Sequence, residues 1–240
     1  MWSVCKKELR QFFSSLTGYI AIVVFLLVNG LVLFVFRNNI LENGYATLDD
    51  FFRLAPWVLI FLVPAITMRA FADEYRGGTF EVLRTRPLTA GQVVRGKFWG
   101  SFIVALIALL PTLVYYSTIN SLAATTGIDA GAAAGAYLGL LFLTAVFTSI
   151  GIYLSSTTTN PVVAFIFSAL ALAILYYGFT AISQLPVFES GWDYLIELIG
   201  IESHYRSISR GVVDTRDLIY FISLVFFFLW ITQQTIAKRA

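Results

Sequence analysis

Residues 73–89 form the polar stretch with the most versatile side chains in this sequence. The stretch reads Asp-Glu-Tyr-Arg-Gly-Gly-Thr-Phe-Glu-Val-Leu-Arg-Thr-Arg-Pro-Leu-Thr. Its paired glycines favour a helix end, after which Thr79 can cap a short helix with Glu81 in its first turn. Pro87 ends that helix, because proline cannot donate a backbone hydrogen bond. A basic loop resting on lipid head groups would not require the acids, so the mixed charges favour docking to a protein partner.

A partial phosphate-binding motif follows this stretch. The segment Gly91–Lys97 matches G-x-x-x-x-G-K. A true phosphate loop next needs a Ser or Thr that binds magnesium and follows a β-strand, whereas Phe98 stands here and a loop precedes. We therefore expect no nucleotide or other cofactor in this chain. Thr89 and Gln92 instead form a T-x-x-Q capping box that opens the next helix.

Other reactive residues are too few to build an active site. The chain has one cysteine, Cys5, and one histidine, His204. An intrachain disulfide is therefore impossible, and a histidine-based metal site or a Ser/His triad is unfavourable. The sequence also lacks the G-x-S-x-G motif of serine hydrolases. We expect a non-enzymatic chain without a metal, with His204 on the surface or packed against a neighbour.

The composition requires a membrane environment. Hydrophobic residues make up 58% of the 240 residues and charged residues 12%, with a mean hydropathy of +0.80. Such a chain can neither cover a soluble surface with polar groups nor remain disordered. A net charge of +2 is too small to indicate nucleic-acid binding.

Six apolar runs are long enough to cross a bilayer as helices. They lie at about 18–36, 54–71, 98–119, 132–154, 162–183 and 218–236. Arg69 is the one Lys, Arg, Asp or Glu inside them. The sequence therefore predicts an all-α integral membrane protein that forms a single transmembrane domain over residues 1–240.

The distribution of basic residues sets the expected orientation. If the N-terminus is cytoplasmic, eleven Lys and Arg residues fall on the inner side and five on the outer side. This bias agrees with the positive-inside rule. We expect both termini in the cytoplasm and the chain in a bacterial inner membrane.

The first 17 residues have the pattern of an amphipathic helix with a basic face. Trp2 begins an apolar series at helical spacing, and Lys6, Lys7 and Arg10 lie between its members. Such a helix can rest on the inner leaflet with its cations near anionic lipid. It can also bind a partner protein, and the two interpretations are compatible.

Two further segments indicate packing. Glycines recur every four residues toward the fourth span, at Gly127, Gly131, Gly135 and Gly139. Small residues at this spacing let membrane helices approach closely, although the pattern does not say whether the partner is another span or another subunit. On the outer side, Val187–Gly200 has the pattern of an amphipathic helix too short and too charged to be a seventh span.

The polar stretch also resembles a family signature, acidic-x-x-x-Gly-Thr-x-Glu-x-Leu-x-x-x-Pro-Leu. The matching positions are Glu74, Gly78, Thr79, Glu81, Leu83 and Pro87. The chain resembles the permease subunit of type 2 ABC transporters. The turn at residues 155–161 and the tail at residues 211–220 are similar to the branch of gliding-motility-associated permeases. Asp73 and its two neighbours stand where many relatives are more basic.

The resemblance implies an assembly and a division of labour. It implies that six helices pair with a second permease, either another copy or a homologous membrane subunit. It also implies separate cytoplasmic ATPase subunits that bind ATP and magnesium, with a coupling helix at Thr79–Arg86 seated in the ATPase and the N-terminal helix touching it. For the gliding branch it implies an auxiliary membrane subunit with an extracytoplasmic domain. Two functions remain open: transport, or mechanical and scaffolding work that moves no substrate.

Overall fold

The computed structural model describes residues 1–36, 39–84, 88–123, 127–185 and 192–238. Every regular element in these ranges is helical. The helices are α1 Trp2–Phe13, α2 Leu16–Phe34, α3 Ile40–Asn43, α4 Asp49–Thr67, α5 Arg69–Arg76, α6 Thr79–Arg84, α7 Ala90–Leu109, α8 Leu113–Leu122, α9 Ala130–Thr157, α10 Pro161–Ala173, α11 Phe179–Ser183, α12 Trp192–Ile199, α13 Ile201–Ser209 and α14 Thr215–Lys238. A 3₁₀ turn at Leu110–Thr112 joins α7 to α8, and a π-helical turn at Ile174–Gly178 joins α10 to α11.

Six helical segments in the described ranges are long and apolar enough to cross a membrane, as the sequence predicts. They are Leu16–Phe34, Asp49–Arg76, Ala90–Leu122, Ala130–Thr157, Pro161–Ser183 and Thr215–Lys238, here called spans one to six. The all-α fold with six membrane-length helices is thus confirmed.

Most spans begin before their apolar run, because polar caps start the helices. Span three begins at Ala90 because Thr89 and Gln92 form the reciprocal capping box expected from the sequence. Asn160 likewise caps span five by accepting a hydrogen bond from the amide of Val162. The N-terminal helix is shorter than expected: it ends at Phe13, and the chain turns at residues 14 and 15 before span one.

Span four forms the centre of the fold. It is 67% buried, whereas spans one and five are each 22% buried. Its helix, α9, packs against α4, α7, α10, α13 and α14. One apolar cluster includes side chains from all of these helices, so the core lies around span four. Spans one and five lie at the periphery and leave most of their surface exposed.

The glycine repeat packs within the chain. A Cβ added at Gly135 would come within 2.9 Å of the Gly211 Cα, and one added at Gly139 would come within 3.1 Å of Ile208. Because these two glycines carry no side chain, α13 and the turn after it can pack directly against α9. Gly127 differs from the expectation, because it precedes the helix with a φ of 69°.

Helices α12 and α13 fold back on the start of span six. Residues Trp192–Ile199 are helical, as expected for part of the amphipathic stretch, and residues 187–191 lie outside the described ranges. His204 Nδ1 lies 2.7 Å from Asp217 Oδ1, and its Nε2 lies 2.9 Å from the Leu198 carbonyl oxygen. Its ring stacks on Tyr220 at 3.9 Å. His204 is thus a packing residue that ties α12 and α13 to span six.

Candidate functional site

The polar stretch forms a helical hairpin at the end of span two. Helix α5 ends at Gly77, and Gly78 has a φ of 64°, which glycine adopts without strain. Helix α6 then begins at Thr79. The two glycines therefore form the turn between α5 and α6.

Helix α6 is anchored by one aromatic side chain. Phe80 is buried, and its ring lies 4.9 Å from the ring of Tyr75 and 6.3 Å from that of Phe71, both on α5. Glu81 is exposed on the same short helix. Phe80 thus fixes α6 to span two while Glu81 faces outward, where a protein partner could reach it.

The predicted coupling helix needs one correction, at Thr79, and two of its predicted residues cannot be compared. Thr79 is the first residue of α6 rather than its cap, and its hydroxyl donates to the Glu74 carbonyl oxygen at 3.5 Å. Leu83 lies in α6 with its side chain outside the described part of the structure. Pro87 also lies outside it.

A serine from span four stabilises the junction between α4 and α5. Ser155 Oγ donates to the Met68 carbonyl oxygen at 3.0 Å and accepts from the amides of Phe71 and Ala72 at 3.1 and 3.3 Å. Because a helix interruption leaves backbone groups without partners, this hydroxyl supplies what the junction lacks. The base of the hairpin is therefore fixed to the central helix.

A fully buried lysine occupies the centre of the site. Lys97 Nζ lies 2.7 Å from Glu8 Oε1 and 2.8 Å from Glu74 Oε1. It also donates to the Ala70 carbonyl oxygen, and it lies 4.8 Å from the centre of the Phe71 ring. This ammonium therefore connects α1, α5 and α7. A charge in such a position is tolerated because carboxylates and hydrogen bonds replace water.

Glu74 is therefore not a surface residue. It is 5% exposed, and Lys7 forms a second ion pair with its Oε1. The acid of the family signature is thus occupied within the chain. Only Glu81 among the two matched acids presents its side chain to the surroundings.

The N-terminal helix is docked on span three rather than lying free on a lipid surface. A Cβ added at Gly96 would come within 2.8 Å of the Met1 carbonyl oxygen, and one at Gly100 within 2.7 Å of Glu8 Cβ. These glycines, four residues apart on α7, let the backbone of α1 approach closely. Cys5 is 1% exposed at this interface.

Burial also affects the chemistry of that cysteine. Desolvation raises the pKa of the Cys5 thiol, and the charge of nearby Glu8 adds to the rise. Because the thiolate is the reactive form, Cys5 should react slowly while α1 is docked. Its rate of modification therefore reports whether α1 stays on α7.

The opposite face of α1 remains open. Lys6, Lys7 and Arg10 line a concave basic surface together with Ser3, Gln11 and Ser14. Trp2 is exposed, and Lys6 Nζ lies 5.7 Å from its ring centre. This surface suits anionic lipid or an acidic protein surface beside α6.

Sequence reasoning missed three residues of this site: Glu8, Lys97 and Ser155. Lys97 lies one residue before the apolar run that begins at position 98, so hydropathy assigns it to a polar loop. Gly96 and Gly100 on either side of it are the available signal, since small residues at that spacing indicate a helix contact.

We predict that the isolated chain does not bind ATP saturably. Residues 91–97 lie within helix α7 instead of forming a loop, and the Lys97 ammonium is already held by two carboxylates. Equilibrium binding of a fluorescent ATP analogue in the presence of magnesium checks this. Saturable binding that disappears in Lys97→Ala would contradict it, and Arg95→Ala is the matched control on the same helix.

The comparison with known families agrees with this arrangement. None of the curated proteins matches the chain. The model of the ABC-2 family transporter proteins matches residues 2–233, which is nearly the whole chain. The match includes the α5–α6 hairpin, the docked N-terminal helix, spans one to five and most of span six. This protein therefore belongs to the ABC-2 family and is the membrane-spanning permease subunit of an ABC transporter.

Proposed function

We propose that this permease couples ATP hydrolysis by a separate ATPase subunit to transport or conformational work across a bacterial inner membrane. The observation that carries the proposal is α6, a short helix with an exposed Glu81 and a buried Phe80 anchor. The exposed carboxylate of Glu81 is suited to contact with a cytoplasmic protein. We propose the ATPase as that protein.

The contacts around α6 provide a path from the partner to the membrane. A displacement of α6 acts on α5 through the aromatic contacts of Phe80. From α5 it acts on α7 and α1 through Glu74 and Lys97. Buried ion pairs are sensitive to distance, because separating the partners leaves uncompensated charge. Spans two and three and the N-terminal helix would therefore move together.

The finer assignment concerns the assembly and its task. We propose a complex with two ATPase subunits and a second permease, which is another copy of this chain or a homologue. The turn at residues 155–161 and the tail at residues 211–220 support a role in gliding motility with an auxiliary extracytoplasmic subunit. In that role, mechanical work on envelope proteins would replace substrate movement.

Single cysteines on opposite sides of the membrane test the proposal. In a Cys5→Ser background, Glu81→Cys should crosslink to the ATPase subunit, because position 81 is exposed on α6. Val213→Cys, on the turn before span six, should instead react with a membrane-impermeant maleimide added to intact cells. Crosslinking is read by mass spectrometry of the purified complex.

The two variants serve as controls for each other. Val213→Cys should give no ATPase crosslink, and Glu81→Cys should label only after the cells are opened. Labelling of both positions from the outside would reject the orientation. A correctly oriented Glu81→Cys that crosslinks to other proteins but never to an ATPase would reject the coupling role.

A further inference from the structure

A cleft of about 340 Å³ opens at the far end of the molecule from α6, where span two begins. It lies between α4, the π-helical turn of span five and α13. Three aromatic rings form its wall. The ring of Tyr176 lies 5.8 Å from that of Trp57 and 6.4 Å from that of Tyr205. The inner wall of the cleft is therefore aromatic and largely apolar.

The rim of the same cleft carries charges of both signs that the chain leaves partly unsatisfied. Arg53, Arg206 and Arg210 line it together with Asp49 and Glu202. Arg206 bonds to Glu202 Oε1 at 3.1 Å and Arg53 bonds to Asp50 Oδ1 at 2.8 Å, whereas Arg210 has no carboxylate partner among the described residues. An occupant that carries an anion would satisfy this free guanidinium.

The second unsatisfied group is an acceptor. Glu202 Oε2 is buried without a hydrogen-bond partner in the described part of the chain. A buried carboxylate oxygen without a donor is costly, so a donor from the occupant would stabilise it. A nearby cation would also be attracted to the faces of Trp57 and Tyr176. The cleft therefore suits a group that is both anionic and cationic.

An apolar track leads from the cleft along the membrane helices. Arg53, Trp57 and Phe61 recur every four residues and so lie on one face of α4. Trp57 is 39% exposed and Phe61 is 60% exposed. On span five, the ring of Tyr177 contacts that of Trp57 at 5.3 Å, and Ile174, three residues earlier, is exposed. Charge at the helix end thus gives way to apolar surface deeper in the span.

We propose that this groove binds one phospholipid with a phosphate-ammonium head group, such as phosphatidylethanolamine. The phosphate pairs with Arg210, the ammonium donates to Glu202 Oε2, and an acyl chain follows Trp57 and Phe61. The π-helical turn contains Tyr176, which is buried at the wall of the cleft, and Tyr177, which is 38% exposed and contacts Trp57. This inference goes beyond the proposed function and requires no ATPase.

Native mass spectrometry of the purified chain with added lipids tests the site. The wild type should retain phosphatidylethanolamine at least about tenfold better than phosphatidylglycerol, because a charge-assisted contact is worth about 1.5–3 kcal/mol. Arg210→Gln should lose this retention. Arg216→Gln, an exposed arginine on the same side but outside the cleft, should keep it. Glu202→Gln should retain both lipids alike, since it removes the partner of the ammonium.

Several outcomes would overturn the proposal. The proposal would be wrong if the wild type retained the two lipids equally, or if Arg210→Gln retained phosphatidylethanolamine fully. The aromatic residues of the groove would then belong to the aromatic belt that membrane proteins have at the membrane surface. Competition by soluble phosphoethanolamine as effective as that by the lipid would indicate a site for a solute. Crosslinking of Phe61→Cys to a second copy of the chain would show that a protein covers the groove.

Discussion

Replacement of Glu81 by lysine should abolish the ATP hydrolysis that depends on the assembled complex while leaving the permease inserted and folded. Glu81 is exposed on α6, whose fixation to the membrane domain depends on Phe80. Reversing its charge removes a charge-assisted contact worth about 1.5–3 kcal/mol and adds repulsion. A loss of that size weakens docking about tenfold to a hundredfold. Turnover by the purified complex should fall accordingly.

The matched controls separate a docking defect from a folding defect. Glu81→Gln keeps the size of the side chain and should give an intermediate turnover. Glu42→Lys makes the same charge reversal at an exposed glutamate in the loop between spans one and two, and should leave turnover unchanged. Normal ATP turnover and subunit stoichiometry in Glu81→Lys would show that α6 is not the coupling helix.

Replacement of Lys97 by methionine should destabilise the permease and release its N-terminal helix. The substitution leaves the carboxylates of Glu8 and Glu74 close together and largely buried, without the ammonium that pairs with both. Removal of one partner of a buried ion pair costs about 3–5 kcal/mol. For a chain of this size that is about 10 °C in the thermal transition. The transition of the detergent-purified protein measures this effect.

The cysteine at the α1–α7 interface gives an independent measurement. Cys5 should react with a maleimide more than about tenfold faster in Lys97→Met, because exposure of the site scales with the population of the undocked helix. Lys7→Gln is the matched control. Lys7 is 48% exposed, so removal of its ion pair with Glu74 should cost less than about 1 kcal/mol.

A combined variant separates the effect of the lost ion pairs from the effect of lost side-chain packing. Lys97→Met with Glu8→Gln and Glu74→Gln replaces the charged contact by neutral groups of similar size. It should recover most of the lost stability, since neutral replacement of a whole buried ion cluster is often tolerated. If Lys97→Met alone kept the wild-type transition and slow Cys5 labelling, the cluster would not hold α1 in place.

Much of the fold could be predicted because its signals are local. The six membrane helices follow from apolar runs, and the helix starts at Thr89 and Asn160 follow from caps within three residues of each position. The hairpin at Gly77 and Gly78 and the exposure of Glu81 follow from the same short stretch. Each depends on neighbours in sequence, so the amino-acid order determines it.

The buried ion pairs between α1, α5 and α7 required the tertiary structure. Glu8 and Lys97 are 89 positions apart, and only the packing of α1 on α7 brings them together. A hydropathy scale places Lys97 at a membrane surface, because the scale scores each residue by its type and not by the residues that contact it in the fold. The same limit applies to His204, whose carboxylate partner Asp217 lies on another helix. Whether a charge is exposed or buried depends on which helices pack around it, and that is a property of the folded chain.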